Sequence, residues 1–455
     1  TVKAVGDIAW KDIYVSVNGN DTGTGSMQSP FKTIQRAKDE VRLLSQDMQG
    51  DIIVHIGGGR YFLDETLDFT VEDSGKNGHR VVYKGDENNT PVISAGIAIS
   101  GFVPSVQYPD LYQVQVENAE HIRALYVNDK ARHIAKSTGM VQGVPKPAQY
   151  DTPQWYEAHP DAPSGDSYNF YDPATIYKYD GLYMSKEDIG LYENITDVEF
   201  CWNIELESFF MHVQSIEANP DNDSQFIVRM DPSIWNSVRT INHQYLAPRG
   251  ERPFYIRNAM ELLDEPGEFY FNRSTKILYY MPYADENMNT ADVVIPGIDT
   301  IARISGNGPN DKVENITFEG IQFSHTSCNI YGEASMRIAQ GAYTDTNAGN
   351  SIVSGAVVLN YASGINFYRN HFHNTGNGGL ELSNGVENSN VTGNVFTDIG
   401  AYSVGVGRPM HYDDCVNNLS LPQNASEMQL NLANVMDSDV ATSYYGDGTS
   451  GIRQL

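Results

Sequence analysis

The chain has 455 residues, with 30 Lys and Arg against 58 Asp and Glu, a formal net charge of -28. That length predicts several domains or one elongated repeat architecture, and 40% hydrophobic with 11% aromatic residues excludes wholesale disorder. The acidity argues against nucleic acid as a partner, and against polyanionic substrates unless a local basic groove exists; no apolar run approaches the ~20 residues of a membrane span.

Asp12 to Val17 alternates at period two and reads as a strand, followed by turn formers from Asn18 to Gly25. Between Thr33 and Leu44 the apolar residues Ile34, Ala37, Val41 and Leu44 recur at spacings of three and four, which predicts an amphipathic helix. Asp51 to Ile56 is a continuous apolar run, as in a strand buried on both faces, and Gly57 to Gly59 ends it. Short strands follow at 66–71, 80–84 and 91–94. From about 101 to 295 the rhythm changes. Residues 150–183 are dense in aromatics, prolines and acids, while 261–271 and 276–281 predict a β-hairpin across Asn272–Thr275. This stretch reads as a β-rich insertion.

The last 150 residues repeat. Ile316 to Phe323 can be laid over Ile365 to Phe372, over Val391 to Phe396, and more loosely over Leu430 to Met436. The closing apolar residue falls at positions 323, 372, 396 and 436. The step of 24 reads as one turn, that of 49 as two turns, and that of 40 as a turn with an insertion. Short period-two strands at this spacing mark a solenoid, and Asn370, Asn394 and Asn434 suit its turns, where asparagine tolerates left-handed geometry and hydrogen-bonds along a stack. The expected fold is all-β: a parallel β-helix, right-handed by the crossover rule, with an N-terminal helical cap and a β-rich inserted domain. The expected divisions are 1–100, cap and first coils; 101–295, insertion; and 296–455, further coils. Cys201, Cys328 and Cys415 have no metal-ligand spacing and read as three buried free thiols.

The motifs DIYVSVNGNDTGTGSMQSPFKTIQRAKDEVR, DIIVHIGGGRYFLDETLDF, LYVNDKARHIA, NAMELLDEPGEFYFNRSTKILYYMP and NITFEGIQFSHT resemble a group of bacterial glycan-degrading β-helix enzymes. From about Asp12 onward the chain is similar to the α-L-fucosidase/xylanase family, glycoside hydrolase family 141, and to the β-helical lacto-N-biosidases. The resemblance implies a secreted or cell-surface glycosidase that needs no cofactor. Enzymes of this group continue for more coils, whereas this chain stops at Leu455 in what reads as a strand. That leaves open a second polypeptide completing the solenoid, or removal of the remainder.

Glycoside hydrolysis needs two carboxyl groups, ~5–5.5 Å apart for retention and ~6.5–9.5 Å for inversion. Coils stacked ~4.8 Å apart supply such pairs readily. Asp437 and Asp439, two apart after an apolar strand, can face one way, and Asp398 lies in the preceding coil; these three are the catalytic candidates. Asp345, Asp413 and Asp414 are further acids of the region, and no metal site is expected. His325 and His373, read as equivalent places after Phe323 and Phe372, join Arg408, Asp447, Tyr444 and Trp155 as sugar-binding candidates; Trp202 is a further aromatic platform.

The expected partner is therefore an oligosaccharide or polysaccharide. Two other readings stay open. A polysaccharide lyase or epimerase would act on uronates, but from Ile316 onward the only cationic residues are Arg337, Arg369, Arg408 and Arg453. A non-catalytic carbohydrate-binding or adhesin solenoid would need no reactive acids.

Overall fold

A computed structural model describes residues 9–147, 179–204, 207–231, 253–328, 336–339, 343–346, 349–352, 354–407 and 452–453. The chain divides into two compact units, one of residues 1–97, 296–328 and 353–455, the other of 98–295 and 329–352. The excursion 329–352, read with the coils from sequence, thus belongs to the second unit.

The first unit is a parallel β-helix whose described strands form four parallel sheets, the smallest made of the two-residue strands Val313–Glu314, Ala362–Ser363, Val386–Glu387 and Ile452–Arg453. One contains Lys11–Val15, Ile52–Ile56, Val81–Gly85, Ile316–Glu319, Asn366–Tyr368 and Asn390–Thr392, in that order. A second contains Arg60–Phe62, Val92–Ser94, Gln322–Ser324, His371–Thr375 and Val395–Ile399; a third contains Leu67–Phe69, Ala302–Ser305, Gly355–Asn360, Gly378–Leu382 and Val404–Val406. Alternation along each strand sends one residue in two inward. Tyr83, Phe318 and Phe367 stack inside the first sheet with centroids 5.4 and 5.2 Å apart, and Phe323, Phe372 and Phe396 inside the second at 4.9 Å each.

The helix forms as predicted, at Ile34–Leu44, with the Thr33 side chain capping it by accepting from the Arg36 N–H. Its buried face, Ile34, Ala37 and Val41, joins the solenoid core. This is the N-terminal helical cap.

The repeat is confirmed in register, since Phe318 pairs with Phe367 and Phe367 with Val391, while Phe323 pairs with Phe372 and Phe372 with Phe396. Two details differ from the reading. The 49-residue step is one coil, because Phe323 and Phe372 are direct neighbours and the extra length is the excursion 329–352. The asparagines stack as expected: Asn370 Nδ2 donates to Phe318 O at 3.0 Å and Asn394 Nδ2 to Phe367 O at 2.9 Å. The left-handed residue of this turn, however, is the one before, Gly320, Arg369 or Gly393. The loosely matched repeat around Asn434 lies outside the described residues.

The second unit is mostly antiparallel, with one parallel pairing, of Lys130–Ile134 with Glu268–Asn272. One sheet carries the predicted hairpin, Glu268–Asn272 against Ile277–Tyr280, flanked by Tyr112–Gln115. Gly267 precedes it at φ +93°, where a Cβ would sit 2.4 Å from the Tyr283 hydroxyl. Another sheet pairs Glu199–Ile204 with both Glu207–Ala218 and Phe254–Arg257. Trp202 is fully buried in that sheet's core beside Phe200 and Phe254, which makes it packing and not a sugar platform. Cys201 and Cys328 are each part-exposed as residues and neither is in a disulfide, and burial pushes the Cys201 thiol up to about 12, in keeping with a buried thiol there. Cys415 lies outside the described residues. No described helix is long and apolar enough to cross a membrane.

Candidate functional site

Two outward faces of the β-helix concentrate polar side chains. On the second sheet Phe323 and Phe372 point inward, so His371 and His373 lie on the outer face. Their rings stack at 4.5 Å, and His371 Nε2 is 2.8 Å from Thr397 Oγ1 in the next coil. Burial lowers the His371 pKa, opposed by the negative charge of Asp398. This keeps the imidazole neutral near pH 7, able to donate or accept toward a hydroxyl group.

His325 does not occupy the place equivalent to His373. The partner of His373 is Ser324, and His325 comes one residue later, at φ +65°. Asn374 and Asp398 take the same left-handed geometry at φ +52° and +51°, and the His325 N–H donates to Asn374 O at 3.0 Å. The His325 ring meets His373 edge-on at 6.1 Å, and its Nδ1 lies 3.0 Å from Ser94 Oγ. His325 and His373 are buried, whereas Asp398 is exposed.

The turn into the third sheet is held by Asn377, which donates to Asp299 O at 2.8 Å and accepts from Thr326 Oγ1 at 2.8 Å. Beyond it, Leu380 and Leu382 point into the core and Glu381 points outward, yet Glu381 is only 7% exposed. Its carboxylate accepts from the Gly355 N–H at 3.0 Å, from Tyr402 Oη at 3.1 Å and from Ser383 Oγ. All three donors are neutral. Tyr402 lies over Gly378 and Gly405, where an added Cβ would come within 2.5 and 2.7 Å of its ring. Sequence reasoning passed over Glu381 because Leu-Glu-Leu in a strand looks like an ordinary solvent-facing acid; the recurring strand glycines were the available signal.

Of the predicted site residues, His325 and His373 adjoin each other as buried side chains while Asp398 is exposed on Val395–Ile399; the structure adds His371 and Thr397 on the same sheet and Glu381 on the third. Asp437, Asp439, Arg408, Tyr444, Asp447 and Trp155 lie outside the described residues, as do Asp413 and Asp414. Asp345 falls on Tyr343–Thr346, in the second unit. Among the described residues no group of three or more His, Cys, Asp or Glu could hold a metal ion.

Residues 216–283 match the GH141 insertion domain. A solved structure described as a glycoside hydrolase superposes with a TM-score of 0.69 at 22% identity, over 87% of this chain and 67% of that one. The complex of XylC with xylose aligns at 12% identity and a TM-score of 0.27, over 87% of this chain and 64% of that one. Among curated proteins, the uncharacterized protein YwoF of Bacillus subtilis (strain 168) is 28% identical over 145 residues, 29% of each chain. The chain therefore spans under a third of that relative's length. The domain match and the shared solenoid bear out the resemblance read from the motifs.

Proposed function

We propose that this chain, a GH141-like right-handed parallel β-helix with that family's insertion domain, is a glycoside hydrolase acting on a complex plant or host glycan by a two-carboxylate mechanism. The match of residues 216–283 carries the reading, since a solenoid alone serves many activities. In such a mechanism one carboxyl protonates the departing glycosidic oxygen. The other carboxylate either attacks the anomeric carbon or takes a proton from the attacking water. Asp437 and Asp439 are our proposed pair, with Asp398 the further catalytic candidate from the preceding coil. Arg408, Asp447, Tyr444 and Trp155 are proposed to hold the sugar together with His371, with the buried His325 and His373 positioned behind it. The activity we favour is fucosidase/xylanase-like or lacto-N-biosidase-like, and a net charge of -28 suits neutral sugars. A secreted or cell-surface location fits a polymeric substrate.

The test is sugar release from an aryl α-L-fucoside, an aryl lacto-N-bioside, xylan and a uronate polymer. Release that vanishes in Asp437→Asn or Asp439→Asn supports the assignment. Retained glycan binding with no release from any substrate sinks it, in favour of a binding solenoid.

A further inference from the structure

The second unit holds a knot of cationic side chains at odds with the acidity of the whole chain. It is built by strand register. Glu199 lies in the central one of three antiparallel strands, opposite His212 on one side and Arg257 on the other. Its carboxylate, 1% exposed, meets Arg123 Nη1 at 2.6 Å and Arg257 Nε at 2.7 Å. Both guanidinium groups also approach the Phe210 ring, at 4.2 and 4.8 Å from its centroid. Beside them, Asp197 accepts from Tyr270 Oη at 2.8 Å, with Arg273 Nε 4.0 Å away.

Two histidines complete the cluster. His212 is 8% exposed, and among the described residues neither of its ring nitrogens makes a hydrogen bond; Nε2 stands 3.8 Å from Glu199 Oε1. The buried Nε2 of His121 is likewise without a hydrogen-bond partner. A buried imidazole normally spends its donor on a partner, so unmet capacity in the midst of guanidinium groups calls for an acceptor that bears negative charge.

Among the described residues, these three guanidinium groups stand around the two carboxylates, with both imidazoles beside them. We propose that this cluster binds a compact monoanion, either a free ion such as chloride or the carboxylate of an acidic sugar. The arginines have other contacts too, and the proposal rests on the imidazoles. Their titration agrees with it. Burial, then Arg273 and Arg123, lowers His121 to about 4, and burial lowers His212 although Glu199 and Asp197 oppose this. A bound anion leaves the burial in place but offsets the charge of Arg273 and Arg123, which raises both values. The site would supply the local basic surface that the overall charge denies to acidic glycans, and it stands whether or not the coils cleave sugar.

The test is NMR of the histidine ring protons in the full chain, titrated with sodium chloride, acetate or glucuronate at constant ionic strength. Saturable shifts of His121 and His212, with their apparent pKa rising, are expected. Arg273→Gln should weaken apparent affinity about tenfold, while Arg273→Lys retains most of it. Glucuronate binding about tenfold tighter than acetate identifies an acidic-sugar subsite, and chloride binding as tightly as either identifies a free-ion site. Linear, non-saturating shifts with all three anions overturn the proposal, as does an unchanged response in folded Arg273→Gln. The wild-type titration decides the matter alone if the variant does not fold.

Discussion

Replacing Glu199 by Gln removes the charge between Arg123 and Arg257 while keeping the volume. Burial pulls this carboxyl's pKa up, and Arg257 and Arg123, joined by His212 where acid protonates it, overcome it, leaving it near 2 against an ordinary 4.5. A difference of roughly 2.5 units at about 1.36 kcal/mol each is ~3 kcal/mol, in line with the ~3–5 kcal/mol measured when one partner of a buried ion pair is removed. Because the folded value is depressed, the stabilisation is fully present above about pH 4.5 and is lost as pH falls through about 2. His212 adds no ion pair near neutral pH, since burial keeps it uncharged despite standing 3.8 Å from Glu199. The assay is urea unfolding followed by Trp202, which is buried in the same sheet. Wild type and Glu199→Gln should differ by ~3 kcal/mol at neutral pH, and the gap should shrink to about half by pH ~3. A gap below about 1 kcal/mol at neutral pH, or one that stays constant on acidification, would refute the reasoning.

Phe372→Ala removes a fully buried ring stacked between Phe323 and Phe396 and should cost ~3–5 kcal/mol in chemical unfolding of the solenoid; a loss under about 1 kcal/mol would mean the coils do not depend on this stack. Asn370→Ala strands the Ile321 N–H and the Phe318 carbonyl and should cost ~1–3 kcal/mol, read as a lower thermal midpoint. Gly378→Ala drives a methyl into the Tyr402 ring and breaks its bond to Glu381. If that contact holds the outer face in shape, Tyr402→Phe and Gly378→Ala should reduce sugar release together, and full activity in both would remove Glu381 from the site. Asp437→Asn and Asp439→Asn should abolish release with the thermal midpoint unchanged, whereas a matching loss of stability would point to a structural role.

The coils were legible because their physics is local. Period-two alternation with a closing phenylalanine at 323, 372 and 396 reports an inward column directly, and the register confirms each member. The 49-residue step misled because spacing counts residues and not coils: a chain that leaves the solenoid and returns to the same edge looks the same as one that makes an extra turn. The misplacement of His325 has a similar source. Aligning His325 with His373 ignored that Ser324 fills the facing position, so the turn begins one residue later than the aromatic anchor suggests.

Glu381 was hidden for a different reason. Nothing in Leu-Glu-Leu distinguishes a carboxylate in water from one covered by a tyrosine in the following coil. The signal lay in its neighbours, at Gly355, Gly378 and Gly405, in three successive strands of one sheet. Gly355 pairs with Gly378, and Gly405 faces Glu381 itself; glycine weakens a strand, so its recurrence in neighbouring strands has to be offset by something lying across them. Here that something is the Tyr402 ring and the Glu381 side chain, each occupying space a Cβ would fill. In a solenoid, then, the side chain worth finding is announced by the small residues beneath it as well as by its own type.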